Sequence, residues 1–243
     1  MAAAPQQYDS PAMPVVVVIP ALNEQESIAR VVASIPSWVQ RTIVVDNGST
    51  DATAERARQA GAEVITEPRR GYGQACLAGC AAAEDADIVV FLDGDLSDYP
   101  DQMEKLVQPI TEDRADFVLG SRTRGVCEAG ALLPQQRFGG WLACLLIRWL
   151  WRYRYTDLGP FRAIRRTSLT RLNMDDQNFG WTVQMQIRAV LANLRIMEIP
   201  LDYRRRIGRS KISGTLRGVF AAGTKILYTI AREQIIARRR ILP

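Results

Sequence analysis

The chain has 243 residues, of which 47% are hydrophobic and 23% charged, the balance of a soluble globular protein with room for one large domain and a sizeable core. It contains no histidine, which removes the usual general base and the imidazole metal ligand. The four cysteines, Cys76, Cys80, Cys127 and Cys144, form no CxxC pair. They read as small buried side chains of a protein in a reducing cytoplasm, not as zinc ligands or a disulfide framework.

Residues 1–13, "MAAAPQQYDSPAM", lack the basic start and apolar block of a signal peptide and read as a mobile tail. "PVVVVIP" follows as a short, fully buried strand. "NEQESIARVVASI" has apolar residues at Ile28, Val31, Val32 and Ile35, the spacing of a helix face. "RTIVVD" is a second strand, and "GSTDATAERARQAG" a helix with a Thr or Asp start and a glycine stop. "AEVITE", "ADIVVFLD" and "ADFVLGSR" are three further strands, separated by helices in "GYGQACLAGCAAAED" and "YPDQMEKLVQPI", the latter with Pro100 near its start. Strands alternating with helices predict right-handed βαβ units and a mostly parallel sheet.

Beyond residue 125 the pattern changes. "FGGWLACLLIRWLWRYRY" is an apolar helix rimmed by Trp and Arg, "DLGPFRAIRRTSL" breaks it, "WTVQMQIRAVLANL" is amphipathic, and "RIMEIPLDYRRR" is a late strand. A last helix in 213–243 carries Leu216, Val219, Phe220, Gly223, Leu227 and Ile230 along one stripe. Residues 203–243 hold eleven Lys and Arg against a single acid, Glu233, so this end suits an anionic partner. No apolar run approaches the roughly 20 residues that a spanning helix needs.

The polar signals sit at strand ends: Pro20-Ala21-Leu22-Asn23-Glu24, Asp46, Asp93-Gly94-Asp95 and Ser121-Arg122. Ligands of open α/β sheets bind beyond the carboxyl ends of strands, so these clusters point to one cleft. In "FLDGDLSDYP", Gly94 permits a tight turn, and Asp93 and Asp95 project to one side. Two hard oxygen ligands with open positions suit Mg²⁺ or Mn²⁺, which complete their shells with water and phosphate oxygens. A lone DxD often only begins a turn, and Asp98 either starts the next helix or faces an acceptor. No GxxxxGK[ST] and no GxGxxG after the first strand are present, which disfavours a P-loop ATPase and a dinucleotide site.

The segments "VVVVIPALNEQESI", "IVVDNGSTDAT", "RRGYGQACLAG", "VVFLDGDLSD", "VLGSRTRG" and "DLGPFRAIRR" occur in the order seen in glycosyltransferase family 2. Within that family they resemble the dolichyl-phosphate mannose and glucose synthase branch. The resemblance covers about residues 14–212. It implies a GT-A fold, a Rossmann-like and mostly parallel sheet flanked by helices, and inverting sugar transfer from a nucleotide sugar. It divides the chain into a tail (1–13), a transferase domain (14–212) and a basic amphipathic helix (213–243).

The resemblance also implies site residues. Pro20, Leu22, Asn23 and Glu24 match the loop bordering the nucleotide, Asp46 an acid near the base, and Gly71 and Gln74 the loop over the nucleotide. Asp93, Gly94 and Asp95 match the metal and diphosphate motif, with Asn47 and Ser97 standing where relatives often have Asp and Gln. Arg122 follows the fifth strand, and Arg137 matches a basic residue of the acceptor loop. Asp157, with Gly159, Phe161 and Arg162, matches a segment near the acceptor. Arg209, Ser210 and Lys211 match a phosphate grip. Simpler readings stand beside these: Asp46 as a helix cap, Arg122 as a surface turn residue, Asp157 as a turn cap, and Arg204 to Arg206 as a solvated charge run.

An anionic acceptor such as a polyprenyl or dolichyl phosphate needs cations to position it and no base; Arg122, Arg137, Arg209 and Lys211 suit that task. An alcohol acceptor needs a carboxylate such as Asp157 or Asp98. The lack of histidine favours the first, with a UDP-sugar ahead of GDP-mannose as donor and a soluble acceptor as the alternative. The Trp- and Arg-rich helix and the basic last helix suit peripheral contact with the cytoplasmic membrane face, or burial in the core or a homodimer contact. A nucleic-acid-binding module would use the basic tail but leaves the acidic cleft unexplained, so no nucleic-acid partner is expected.

Overall fold

The computed structural model describes residues 13–208 and 216–241. In chain order the strands are β1 (Val15–Ala21), β2 (Arg41–Asp46), β3 (Glu63–Thr66), β4 (Ile88–Phe91), β5 (Phe117–Ser121), β6 (Arg162–Arg165) and β7 (Ile196–Pro200). The helices are α1 (Ile28–Ala33), α2 (Thr53–Gln59), α3 (Tyr72–Ala82), α4 (Met103–Thr111), α5 (Pro134–Trp151), α6 (Arg166–Leu172), α7 (Trp181–Leu191) and α8 (Leu216–Ile241), with a 3-10 turn at Pro100–Gln102 ahead of α4.

One seven-stranded sheet runs in the order β3-β2-β1-β4-β6-β5-β7. Its pairs are parallel except those of β6, which runs antiparallel between β4 and β5. β1 is buried along its whole length. Its alternate residues feed two cores: Val16 and Val18 pack toward α3 and α7, whereas Val15, Val17 and Ile19 pack toward α1 and α4. This two-faced burial explains why the strand reads as a continuous Val run and not as an alternating one. From β1 the chain moves outward to β2 and β3, then returns to place β4 on β1's other edge. The order reverses there, and a crevice opens beyond the carboxyl ends of β1 and β4.

Three expectations are corrected. The first helix begins at Ile28 and not at Asn23, because Asn23–Ser27 form a turned loop. Asn23 is left-handed (φ 53°), and the Glu24 amide donates to Thr53 Oγ1 at 2.8 Å. Second, "RAIR" within the predicted break is the strand β6, placed by its neighbours more than by its own pattern. Third, α8 is rotated from the expected stripe. Of the stripe residues whose side chains are described, Ile230 is buried, while Phe220, Gly223 and Leu227 are exposed. Polar contacts set this orientation: the buried Glu233 pairs with Arg188 Nη2 at 2.8 Å, and Lys225 pairs with Asp176 at 2.9 Å. An apolar period cannot report such contacts. α8 packs on α7 and α5, and among the described residues no helix is long and apolar enough to cross a membrane.

Candidate active site

A cavity of about 380 Å³ occupies the crevice between β1 and β4. Pro20, Leu22 and Glu24 line it from the end of β1, Gly71 and Tyr72 from the start of α3, and Asp93, Gly94 and Asp95 from the end of β4. The α3 edge depends on close backbone approach. A side chain at Gly73 would put its Cβ 2.0 Å from the Asp176 carbonyl oxygen, and one at Gly71 would come 2.1 Å from that of Gln177. The Gln74 amide donates to the Gln177 carbonyl at 2.9 Å, tying the 176–178 segment across the start of α3.

Asp93 and Asp95 face this cavity together. Tyr72 Oη donates to Asp93 Oδ1 at 3.2 Å. Burial, with the Asp95 charge beside it, pushes the Asp93 carboxyl up to about 7, the direction expected of a desolvated acid near a second one. Asp95 is held differently: Oδ1 accepts the Ser97 amide at 3.0 Å and the Ser97 hydroxyl at 2.5 Å. Its Oδ2 lies 3.2 Å from Arg206 Nη1. Arg206 Nη2 also donates to Glu24 Oε1 at 2.8 Å, so one guanidinium joins the β1 loop to the β4 loop. The tight turn after β4 uses Leu96, which is left-handed (φ 62°), and not Gly94 as expected. Gly94 instead accepts Ser27 Oγ at its carbonyl, 2.8 Å away.

Several expected nucleotide residues support the cavity from behind. Asp46 is buried outside the lining and accepts the Ser49 amide at 3.1 Å within its own loop, so it does not cap α2, which begins only at Thr53 with no side-chain cap. Asn47 lines the cavity in its place and accepts the Gly71 amide at 2.7 Å. Gln74 is buried and donates to Glu67 at 3.0 Å. Asn23 accepts the Thr50 amide at 2.8 Å and braces the first loop.

A second cavity, about 410 Å³, adjoins the first and shares Tyr72, Asp93, Asp95 and Arg206 with it. Its cationic wall is Arg122, Arg205 and Arg206, and Leu133, Leu158, Pro160 and Phe179 supply apolar surface. Arg122 forks onto Asp157 through Nε and Nη2, both at 2.8 Å, and stacks on Tyr203 with 5.1 Å from its centre to the ring centroid. Burial opposes ionisation of Asp157, but the Arg122 charge and hydrogen bonds outweigh it and hold the carboxyl below its usual range. Arg162 is wholly enclosed beneath and donates to the Thr182 carbonyl at 3.1 Å. Arg137 does not line this cavity; it lines a third one on the far side of Arg122. Arg209, Ser210 and Lys211 lie outside the described residues.

Asp98 neither caps the following helix nor lines either cavity. It is buried and bridges by backbone to Tyr203, and its Oδ2 has no partner among the described residues. Burial and the charges of Asp93 and Asp95 push its carboxyl well above the usual range.

Of Arg204 to Arg206, only Arg205 is exposed as in a solvated run; Arg204 and Arg206 are half-buried. The Arg204 amide donates to the Ser97 carbonyl and the Ile207 amide to that of Asp95, both at 2.9 Å, and Arg204 stacks 4.3 Å from the Tyr99 ring centroid. Tyr72 and Tyr203 line the cavities without having been named from the sequence, and Asn47 and Arg206 were named only as a substituted position and as part of a charge run. Arg206 carried a signal in its run of three arginines, but nothing in the run tells which one turns inward.

Among the described residues no cluster of three or more acid or cysteine ligands exists. The donor set is therefore two carboxylates, one of them destabilised by burial, which fits a hard divalent ion whose remaining positions are filled by diphosphate and water. It does not fit a closed structural metal cage.

The sheet order and the crevice at its reversal define a GT-A fold, with the paired carboxylates Asp93 and Asp95 set in the crevice. The sequence profile described as glycosyl transferase family 2 matches residues 16–173, and the chain belongs to that family: it is a glycosyltransferase that uses a nucleotide sugar. It is 40% identical to an uncharacterized glycosyltransferase of Mycobacterium tuberculosis over 86% of this chain and 94% of that one. It is 28% identical to the undecaprenyl-phosphate mannosyltransferase of Micrococcus luteus over 85% of this chain and 90% of that one. The fold matches the glucosyl-3-phosphoglycerate synthase of M. tuberculosis solved with Mn²⁺, UDP-glucose and phosphoglyceric acid, with a TM-score of 0.75 and 26% identity over 92% of this chain and 80% of that one. That enzyme has also been solved with Mg²⁺ and UDP.

Proposed function

We propose that the protein transfers a hexose, with inversion, from a UDP-sugar to the phosphate of a polyprenyl-type lipid. The observation that carries this reading is the make-up of the second cavity. Three arginines and an apolar wall meet there, and among the described residues the acids lining it are Asp93 and Asp95. An alcohol acceptor would need a free carboxylate base, yet Asp157 is committed to Arg122 and Asp98 is buried outside the lining. A phosphate acceptor is already anionic, so positioning by Arg122 and Arg205 suffices.

In this scheme an acceptor phosphate oxygen attacks the anomeric carbon from the second cavity. The bond from that carbon to the diphosphate breaks, and the nucleoside diphosphate leaves into the first. A Mg²⁺ or Mn²⁺ ion held by Asp93 and Asp95 would offset the charge growing on the leaving group. Arg206 lies on the boundary between the two cavities and is placed to contact the same diphosphate. Tyr72 holds Asp93 toward the cleft.

A phosphorylated soluble acceptor is the second reading, favoured by the phosphoglyceric acid bound in the structurally similar synthase. Incubation with radiolabelled UDP-glucose, Mn²⁺ and either undecaprenyl phosphate or 3-phosphoglycerate separates the two. Label is expected in the organic phase with the lipid; label that stays wholly aqueous, with transfer to 3-phosphoglycerate, overturns the lipid reading.

A further inference from the structure

Arg137, expected at the acceptor, instead belongs to a third cavity of about 390 Å³ that Arg122 separates from the second. Arg148 from α5 and Arg154 from the segment after it line this cavity as well. All three arginines are exposed, and none has a carboxylate within ion-pair distance among the described residues. The nearest partner of Arg137 is a thiol, Cys127, at 4.0 Å. The one acid lining the cavity among the described residues, Asp157, is taken by Arg122 and by the Leu158 amide. By contrast, Arg122, Arg205 and Arg206 each hold a described carboxylate. Three uncompensated guanidinium groups around one concavity form a receptor for an anion.

The rim of the same cavity is apolar. Trp141 and Leu145 line it, 59% and 43% exposed, and Phe138 and Trp149 extend the strip along α5 at 62% and 77% exposure. Positions 138, 141, 145 and 149 share one helix face, and the Phe138 and Trp141 rings sit 5.8 Å apart. Large apolar side chains gathered on a surface mark an interaction site.

We infer that this face of α5 docks on an anionic bilayer, with the Arg137, Arg148 and Arg154 cavity taking the phosphate headgroup of a membrane lipid and the Phe138–Trp149 strip lying at headgroup depth. The combination decides the occupant. A free phosphate would use the arginines and leave the strip uncovered. A second copy docked about a two-fold axis would cover the strip but set one basic patch against the other. An anionic bilayer satisfies both, because Trp suits the membrane interface and Arg the lipid phosphate. The site is separate from the acceptor cavity. Vesicle binding and product partition are independent readouts, so this inference and the lipid-acceptor reading can fail separately.

The test is co-sedimentation of the full chain with phosphatidylcholine vesicles, with and without phosphatidylglycerol. The expected result is binding to the phosphatidylglycerol vesicles only. An R148Q/R154Q variant should lose about fivefold in affinity for each arginine, about 25-fold together, with an unchanged melting temperature. W149A should bind the same vesicles more weakly. Three results overturn the inference: equal vesicle binding by wild type and R148Q/R154Q; glycerol 3-phosphate binding that is lost in R148Q/R154Q while vesicles are ignored; or a concentration-dependent dimer that W149A abolishes without any vesicle binding.

Discussion

Arg122 and Asp157 form a fork-to-fork pair, with Nε on Oδ2 and Nη2 on Oδ1 each at 2.8 Å and the Arg122 amide adding a third bond to Oδ2 at 2.9 Å. Asp157 thus holds the guanidinium at the wall of the second cavity and is not free to take a proton. D157A leaves a nearly buried guanidinium unpaired and should cost about 3–5 kcal/mol of stability. Urea unfolding measures this directly, and a wild-type midpoint in D157A would show that the pair carries no such weight.

Arg206 occupies one oxygen of Asp95 at 3.2 Å. An incoming divalent ion must share that carboxylate with the guanidinium. In the absence of nucleotide, R206Q should bind Mn²⁺ severalfold more tightly, a change of roughly 1 kcal/mol for a pair of this exposure. UDP binding in the presence of Mn²⁺ should weaken in the same variant, because Arg206 also lines the first cavity, the proposed seat of the nucleotide. Calorimetric titrations with Mn²⁺ alone and with Mn²⁺ plus UDP check both signs; weaker metal binding in R206Q would contradict the competition.

The raised Asp93 carboxyl, about 7, gives a pH dependence with a defined sign. The folded state holds a proton that the unfolded chain releases near pH 4. The stabilising contribution is therefore complete below that value and is lost as pH rises through about 7. The melting temperature of metal-free protein should fall between pH 6 and 8. Mn²⁺ binding should tighten over the same interval, since the ion competes with the proton. D93N should flatten the melting curve against pH, and an unchanged slope in D93N would assign the effect to another group.

Gly73 sets the approach of α3 to the 176–178 segment, where a Cβ would stand 2.0 Å from the Asp176 carbonyl oxygen. The obstacle is backbone, so it cannot move aside as a flexible side chain would. G73A should lose about 1–3 kcal/mol of stability and weaken nucleotide binding, because Tyr72 and Gly71, the two residues just before it, line the cavity. Thermal melts with and without UDP and Mn²⁺ read both effects.

The sequence by itself determined the sheet's parallel half, the cleft and the paired carboxylates. β1, β2 and β4 are continuous apolar runs because both faces are buried, and a strand that ends in acids marks where its carboxyl end meets solvent. The order of the family's motifs carried the same message. What the tertiary structure decided lies between segments far apart in the chain. β6 is a strand because β4 and β5 leave an edge for it, and α8 turns by its pairing with Arg188 and Asp176. Arg206 enters the site because two backbone hydrogen bonds hang its segment beneath Asp95 and Ser97. Asp46, Gln74 and Arg137 have suitable chemistry but point into a loop turn, a buried hydrogen bond and a third cavity. Hydrophobic periodicity reports which face of a segment is buried. It carries no information on which distant polar group that face will meet, and those pairings set the charge distribution in the three cavities.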